Sequence, residues 1–172
     1  MSESVFSVSQ LIGYVAFICG VFAFTQRDDR RLKVSLIVQS LVYGIHFFLL
    51  GNLAACASNG VSIVRNLASL RTRSRYAAAG LFLIALLAGY FTVHGPLGLL
   101  TIGAAFISIY GMFWLDGIAL RICLFCCTIL WLTNNILSHS YGGTALEFTI
   151  GATNLITIMR MKRDAVTAAA VS

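Results

Sequence analysis

The stretch NGVSIVRNLASL (59–70) sets Asn59, Arg65 and Asn66 into an otherwise apolar run, and a second such asparagine, Asn154, follows Asn66 by 88 residues. Amide and guanidinium groups give directional hydrogen bonds, the chemistry that recognises an uncharged polar solute. At about 100° per residue, Asn59, Ser62, Asn66 and Ser69 share an arc of roughly 80° on a helix. Glu147, Ile150, Asn154 and Thr157 occupy the corresponding arc 88 residues on. In hydrocarbon such a stripe must turn inward, because an unpaired polar group there costs several kcal/mol. It can bond one helix to the next or line a pocket. A single asparagine favours the first use; the matched pair favours the second.

Further polar and aromatic positions follow the same shift. Gln39, Tyr43 and His46 share one helical face, and Cys127, Trp131 and Asn134 are their equivalents. Rings provide a stacking surface and Asn or His a directional bond, although Tyr43 and Trp131 could equally fill a core or an interfacial belt. Glu147 lies deep in an apolar run, so it is a candidate for proton coupling with His46 as partner, or a hydrogen-bonded structural carboxyl. Arg65, about five residues from a helix end, either snorkels to headgroups or gates the pocket. Cys19, Cys56, Cys123, Cys126 and Cys127 have no charged or His neighbour in sequence, so packing is favoured over a metal or redox role. No cofactor, metal site, catalytic nucleophile–base set or phosphate loop is expected, and hence no enzyme.

The elements that must hold these residues follow from composition. With 59% hydrophobic and 10% charged residues among 172 and a mean hydropathy of +0.89, the chain is expected to be an all-α polytopic membrane protein in contact with the lipid bilayer. Seven runs stand out, at roughly 6–24, 32–51, 53–70, 76–93, 97–115, 118–138 and 142–160. No basic residue precedes the first run, so it is expected to remain as a span. The shift of 88 also aligns Leu11 with Leu99, Ala16 with Ala104, Asp28 with Asp116, Leu32 with Leu120, Lys33 with Arg121, Leu36 with Leu124 and Ser40 with Thr128. One membrane domain of three plus one plus three spans is therefore expected: a repeat over 6–71, a linker helix at 76–93 and a second repeat over 97–160. The linker crossing leaves the two repeats parallel, with a site between them near the midplane.

Basic residues set the orientation. Arg27, Arg30, Arg31 and Lys33, then Arg71, Arg73 and Arg75, then Arg121, and last Arg160, Lys162 and Arg163 all fall on one side of seven alternating spans. That side is predicted to be cytoplasmic, with the N-terminus out and the C-terminus in. The net charge of +6 is thus an orientation signal and not a nucleic-acid patch.

The segments QRDDRRLK (26–33), HFFLLGN (46–52), RNLASLRTRS (65–74) and GGTALE (142–147) resemble the YgjV-type bacterial inner membrane proteins over nearly the whole chain. The resemblance implies a bacterial inner membrane location. More distantly, the plan is similar to the SWEET sugar facilitators and PQ-loop proteins, and to nicotinamide riboside transporters. That likeness implies solute contact by an Asn on spans three and seven and an aromatic on span six, for which Asn66, Asn154 and Trp131 are the matching positions. Pro96 is the only proline and no proline–glutamine pair occurs, so Gly13, Gly20, Gly103 and Gly111 would have to supply hinge flexibility. The expectation is a transporter, facilitator or proton-coupled, of an uncharged polar solute such as a sugar or nucleoside, alternating access between two three-helix bundles. Asn59, Asn66 and Asn154 would bind it, Tyr43 and Trp131 would stack on it, and His46, Asn134 and Glu147 would close or couple from outside. The alternative is a non-transporting receptor or assembly protein whose polar stripe binds a peptide or packs helices. Substrate, direction of transport and homo-oligomerisation stay open.

Overall fold

A computed structural model describes residues 8–49, 53–92, 97–137 and 141–171. His94, Pro96, His139 and the short connectors at 50–52 and 138–140 lie outside the described residues. Among the described residues there are seven helices and no strand: α1 (Val8–Thr25), α2 (Asp29–Leu49), α3 (Leu53–Arg71), α4 (Arg75–Thr92), α5 (Leu97–Trp114), α6 (Gly117–Leu137) and α7 (Tyr141–Val171). Helices are the form this composition demands, since lipid leaves backbone N–H and C=O groups no partner outside their own segment. Three of them, α1, α2 and α6, are long and apolar enough to cross a bilayer, and apolar stretches at Arg75–Leu87 and Leu99–Trp114 are shorter. The third and seventh helices, which carry the asparagines, are not in that set.

Predicted and observed helix ends agree within three residues everywhere but at the C-terminus, where α7 runs on to Val171 against a predicted end at 160. The predicted end marked where apolar residues stop. Helix formation stops for other reasons, and MRMKRDAVTAAAV contains no Gly or Pro and is rich in alanine, the best helix former.

Local chemistry fixes the other ends. Asp28 caps α2 by accepting the Arg31 backbone N–H on Oδ1 at 2.8 Å, the bond of an N-cap to the third helical residue. Ser74 Oγ accepts the Tyr76 N–H at 3.3 Å and opens α4 in the same way. Gly117 takes a φ of +56° where α5 turns into α6, a conformation that glycine adopts without the steric penalty of a Cβ.

The chain divides into two compact units, Met1–Arg71 and Thr72–Ser172. Within the first, α2 packs against both α1 and α3. Within the second, α6 packs against α5 and α7, and α4 against α5. Shifted by 88 residues, α2 falls on α6 end for end, the start of α3 on the start of α7, and α1 on α5 to within one residue. Burial repeats as well: Ala16 and Ala104, Leu32 and Leu120, Leu36 and Leu124, Ser40 and Thr128, Asn66 and Asn154, and Ser69 and Thr157 are all buried. Many of these seam positions are small or polar, as in helix packing within membranes, while large apolar side chains such as Phe22, Phe48, Leu83 and Phe148 are exposed.

Candidate functional site

In the first unit the polar stripe of α3 faces inward. Asn66 and Ser69 are buried and Asn59 and Ser62 half-buried, whereas Val61, Val64 and Leu67 on the other arcs are exposed. Asn66 has 0% exposure. Its Oδ1 accepts Arg65 Nε–H at 3.3 Å, and its backbone carbonyl accepts the Ser69 hydroxyl at 2.9 Å. Lys33 Nζ on α2 donates to the Ser69 carbonyl at 3.4 Å, tying α2 to α3. Asn66 Nδ2 is buried with no hydrogen-bond partner among the described residues.

The second unit holds the equivalent asparagine by a different bond. Asn154 also has 0% exposure. Its Nδ2 donates to the Arg121 backbone carbonyl at 2.9 Å, joining α7 to the first turns of α6. Asn154 Oδ1 has no partner among the described residues. A buried polar atom left unmatched costs roughly 1–3 kcal/mol. Both asparagines therefore carry one satisfied and one unsatisfied atom.

His46 belongs to the seam between α1 and α2. Its Nδ1 lies 2.7 Å from the Ser9 carbonyl oxygen, and the ring packs where Gly13 has no side chain: a Cβ there would stand 2.8 Å from Cε1. Tyr43 stacks on Phe47 at 5.5 Å between centroids and meets His46 edge-on at 6.0 Å. These aromatics form one cluster along α2. Asn59 of α3 reaches α2 at Gly44, where a Cβ would meet its own at 3.7 Å. In α6 Trp131 is exposed and Asn134 half-buried, and Glu147 is half-buried on α7. Arg65, expected to snorkel or to gate, is half-buried with its Nε on Asn66.

Two of the four glycines expected to act as hinges also make room for a neighbour. Gly13 and Gly111 are the close approaches, with Cys123 Sγ 2.7 Å from a Cβ on Gly111, whereas a Cβ on Gly20 or Gly103 would make ordinary contacts, 3.5 Å to Gln39 Cγ and 3.6 Å to Leu130 Cδ1. The thiols bond across the same seam, Cys123 to the Ile107 carbonyl at 3.2 Å and Cys127 to the Ala104 carbonyl at 3.4 Å, while Cys126 is exposed. The two thiols of the C-x-x-C thus have different surroundings.

Two cations depart from the role their sequence position predicts. Lys33 and Arg121, expected to act as orientation charges, are buried at 5% and 0% exposure. Their signal was present in the repeat, which aligns one with the other at the start of α2 and α6. Arg73, by contrast, pairs with Asp116 in the open between the α3–α4 and α5–α6 turns.

Seven helices with small and polar seams and apolar exteriors define a multi-pass α-helical membrane protein. The chain belongs to the Imp-YgjV family of bacterial inner membrane proteins, whose family model matches residues 7–165. It is 35% identical over 156 residues to the inner membrane protein YgjV of Escherichia coli (strain K12), a match covering 91% of this chain and 85% of that protein. No solved structure matches the chain significantly. The protein is a multi-pass protein of the bacterial inner membrane.

Proposed function

We propose that the chain is a small-molecule transporter for an uncharged polar solute such as a sugar or nucleoside, working by alternating access as two parallel three-helix repeats, with the N-terminus outside and the C-terminus inside. One observation carries this reading. Asn66 and Asn154, at equivalent positions of a duplicated unit, each keep one buried amide atom with no partner among the described residues. A hydroxyl satisfies either, accepting from Nδ2 or donating to Oδ1. Both side chains are closed to solvent in this conformation, so solute contact requires an opening motion. Trp131, Tyr43, Asn134 and Asn59 supply further contacts in this reading, and Glu147 couples a proton.

The test is uptake into proteoliposomes across a panel of sugars, ribosides and amino acids. Saturable uptake of a panel member, reduced at least tenfold in Asn154→Ala and Trp131→Ala while both variants stay folded, is the expected result. Flux unchanged in both variants removes the solute role from these residues. Proton coupling predicts that Glu147→Gln abolishes the dependence of net uptake on an imposed pH gradient and leaves exchange intact.

A second reading has its own support in the bond from Asn154 Nδ2 to the Arg121 carbonyl. There the amides only lock helices together in a non-transporting receptor or assembly protein. It predicts no saturable uptake of any panel member and a loss of thermal stability in Asn154→Ala.

A further inference from the structure

A cavity of about 380 Å³ opens in the first unit where α1 ends and α2 begins, lined by Phe22, Gln26, Arg30, Arg31, Val34 and Ser35. Its chemistry is divided. Arg30 and Arg31 bring two exposed guanidinium groups and Ser35 adds a hydroxyl, while the Gln26 amide N–H is engaged at the end of α1 on the Phe22 carbonyl at 3.2 Å. Phe22 and Val34 are 58% and 45% exposed beside them. Guanidinium forks match phosphate oxygens bidentately, and exposed apolar side chains at the end of a spanning helix meet acyl chains. The acidic neighbour Asp28 is engaged as the cap of α2 on the Arg31 backbone N–H, and neither Asp28 nor Asp29 lines the cavity.

The repeat supplies an internal control. At the equivalent positions of the second unit, 88 residues on, stand Tyr110, Trp114, Ile118, Ala119, Ile122 and Cys123. The same helix–turn–helix therefore forms with Ile and Ala where Arg30 and Arg31 stand, so the architecture does not require cations there. The neighbouring Lys33 differs in this respect: its equivalent is also a cation, Arg121, and both are buried. An orientation charge need only be basic and near the end of a span; what adds a ligand is the cavity that Arg30 and Arg31 share with Ser35, Phe22 and Val34.

We infer that this cavity binds the phosphate headgroup of an anionic phospholipid, with Arg30 and Arg31 on the phosphate, Ser35 on a remaining oxygen or the glycerol, and Phe22 and Val34 against the acyl chains. The occupant is a lipid of the leaflet that α2 enters from, and the site is independent of any solute pathway.

The test is native mass spectrometry of the full-length protein in detergent, titrated with phosphatidylglycerol or phosphatidylcholine. The wild-type chain is expected to retain phosphatidylglycerol in preference to phosphatidylcholine, and equal retention overturns the site. The double variant Arg30→Ile/Arg31→Ala, which installs the residues of the second unit, is expected to weaken phosphatidylglycerol binding about thirtyfold, from the contribution of two basic residues at a membrane surface. Binding at the wild-type level in that variant also overturns it. A competition arm separates the sources of phosphate: inorganic phosphate at millimolar concentration should leave the lipid bound, and its displacement would assign the site to a free anion. The wild-type arms decide the matter even if the double variant fails to insert.

Discussion

At the scale of single residues, this protein holds its helices together by what is missing as much as by what is present. Gly13 makes room for the His46 ring, and the ring in turn reaches the Ser9 carbonyl at 2.7 Å. Gly13→Ala would place a Cβ 2.8 Å from that ring, so it should lower stability by about 1–3 kcal/mol through overpacking and strain on the hydrogen bond. Gly60→Ala is the matched control, since among the described residues no neighbour beyond its own helix turn lies within 4 Å of a Cβ there, and it should raise stability by about 0.5–1 kcal/mol through helix propensity. Thermal unfolding of both variants in one detergent tests the pair, and equal melting temperatures would refute the packing role. The same logic predicts that Cys123→Ala relieves the damage done by Gly111→Ala, because the offending contact is Cys123 Sγ at 2.7 Å. A double-mutant cycle should show a coupling of about 1 kcal/mol or more. The inward turn of Asn66 and Asn154 was legible in the sequence, because polar stripes in hydrocarbon have few alternatives. The use of glycine as a spacer was not. That depends on which residue of the facing helix stands opposite, and helical periodicity alone does not give the facing register.

At the scale of elements, apolar runs located all seven helices, because in a bilayer the length of a span and the length of its apolar run are set by one thickness. Outside the bilayer that link is cut, and α7 shows it: residues 162–169 are exposed on every face, yet remain helical. Such an extension rests on backbone propensity and not on packing, which leads to a separable prediction. Val166→Pro should melt the turns around it, since proline in a helix interior costs about 3 kcal/mol, while the melting temperature of the membrane domain stays within about 1 °C. Hydrogen exchange provides the check: faster exchange confined to residues after Met161 is expected, and protection lost from α6 or the first half of α7 would mean that the extension is packed after all.

At the scale of the whole molecule, helix bounds and burial that match at a shift of 88 residues let each unit be read against the other. Positions where both copies bury the same kind of residue, such as Leu32 and Leu120 or Ser69 and Thr157, mark what the fold needs, and positions where they differ, such as Arg30 and Ile118, mark what one copy has added. Charge can be sorted the same way. Lys33 and Arg121 are buried in their units, and Arg65 is half-buried on Asn66. The remaining nine cations, Arg27, Arg30, Arg31, Arg71, Arg73, Arg75, Arg160, Lys162 and Arg163, are exposed, the placement expected of charges that set topology during insertion. If all seven helices cross, as the proposed transporter requires, alternation puts all nine on one side, and the positive-inside rule predicts that side to be cytoplasmic. A green fluorescent protein fused after Ala169 should fluoresce and alkaline phosphatase fused there should be inactive, whereas phosphatase fused after Leu137 should be active. An active phosphatase after Ala169 would mean an even number of crossings or an inverted insertion. In the first case parallel repeats are impossible, because a second three-helix unit would enter the membrane upside down relative to the first. In the second the duplication survives and the positive-inside argument fails, so an N-terminal tag, accessible from outside in the first case and shielded in the second, tells the two apart.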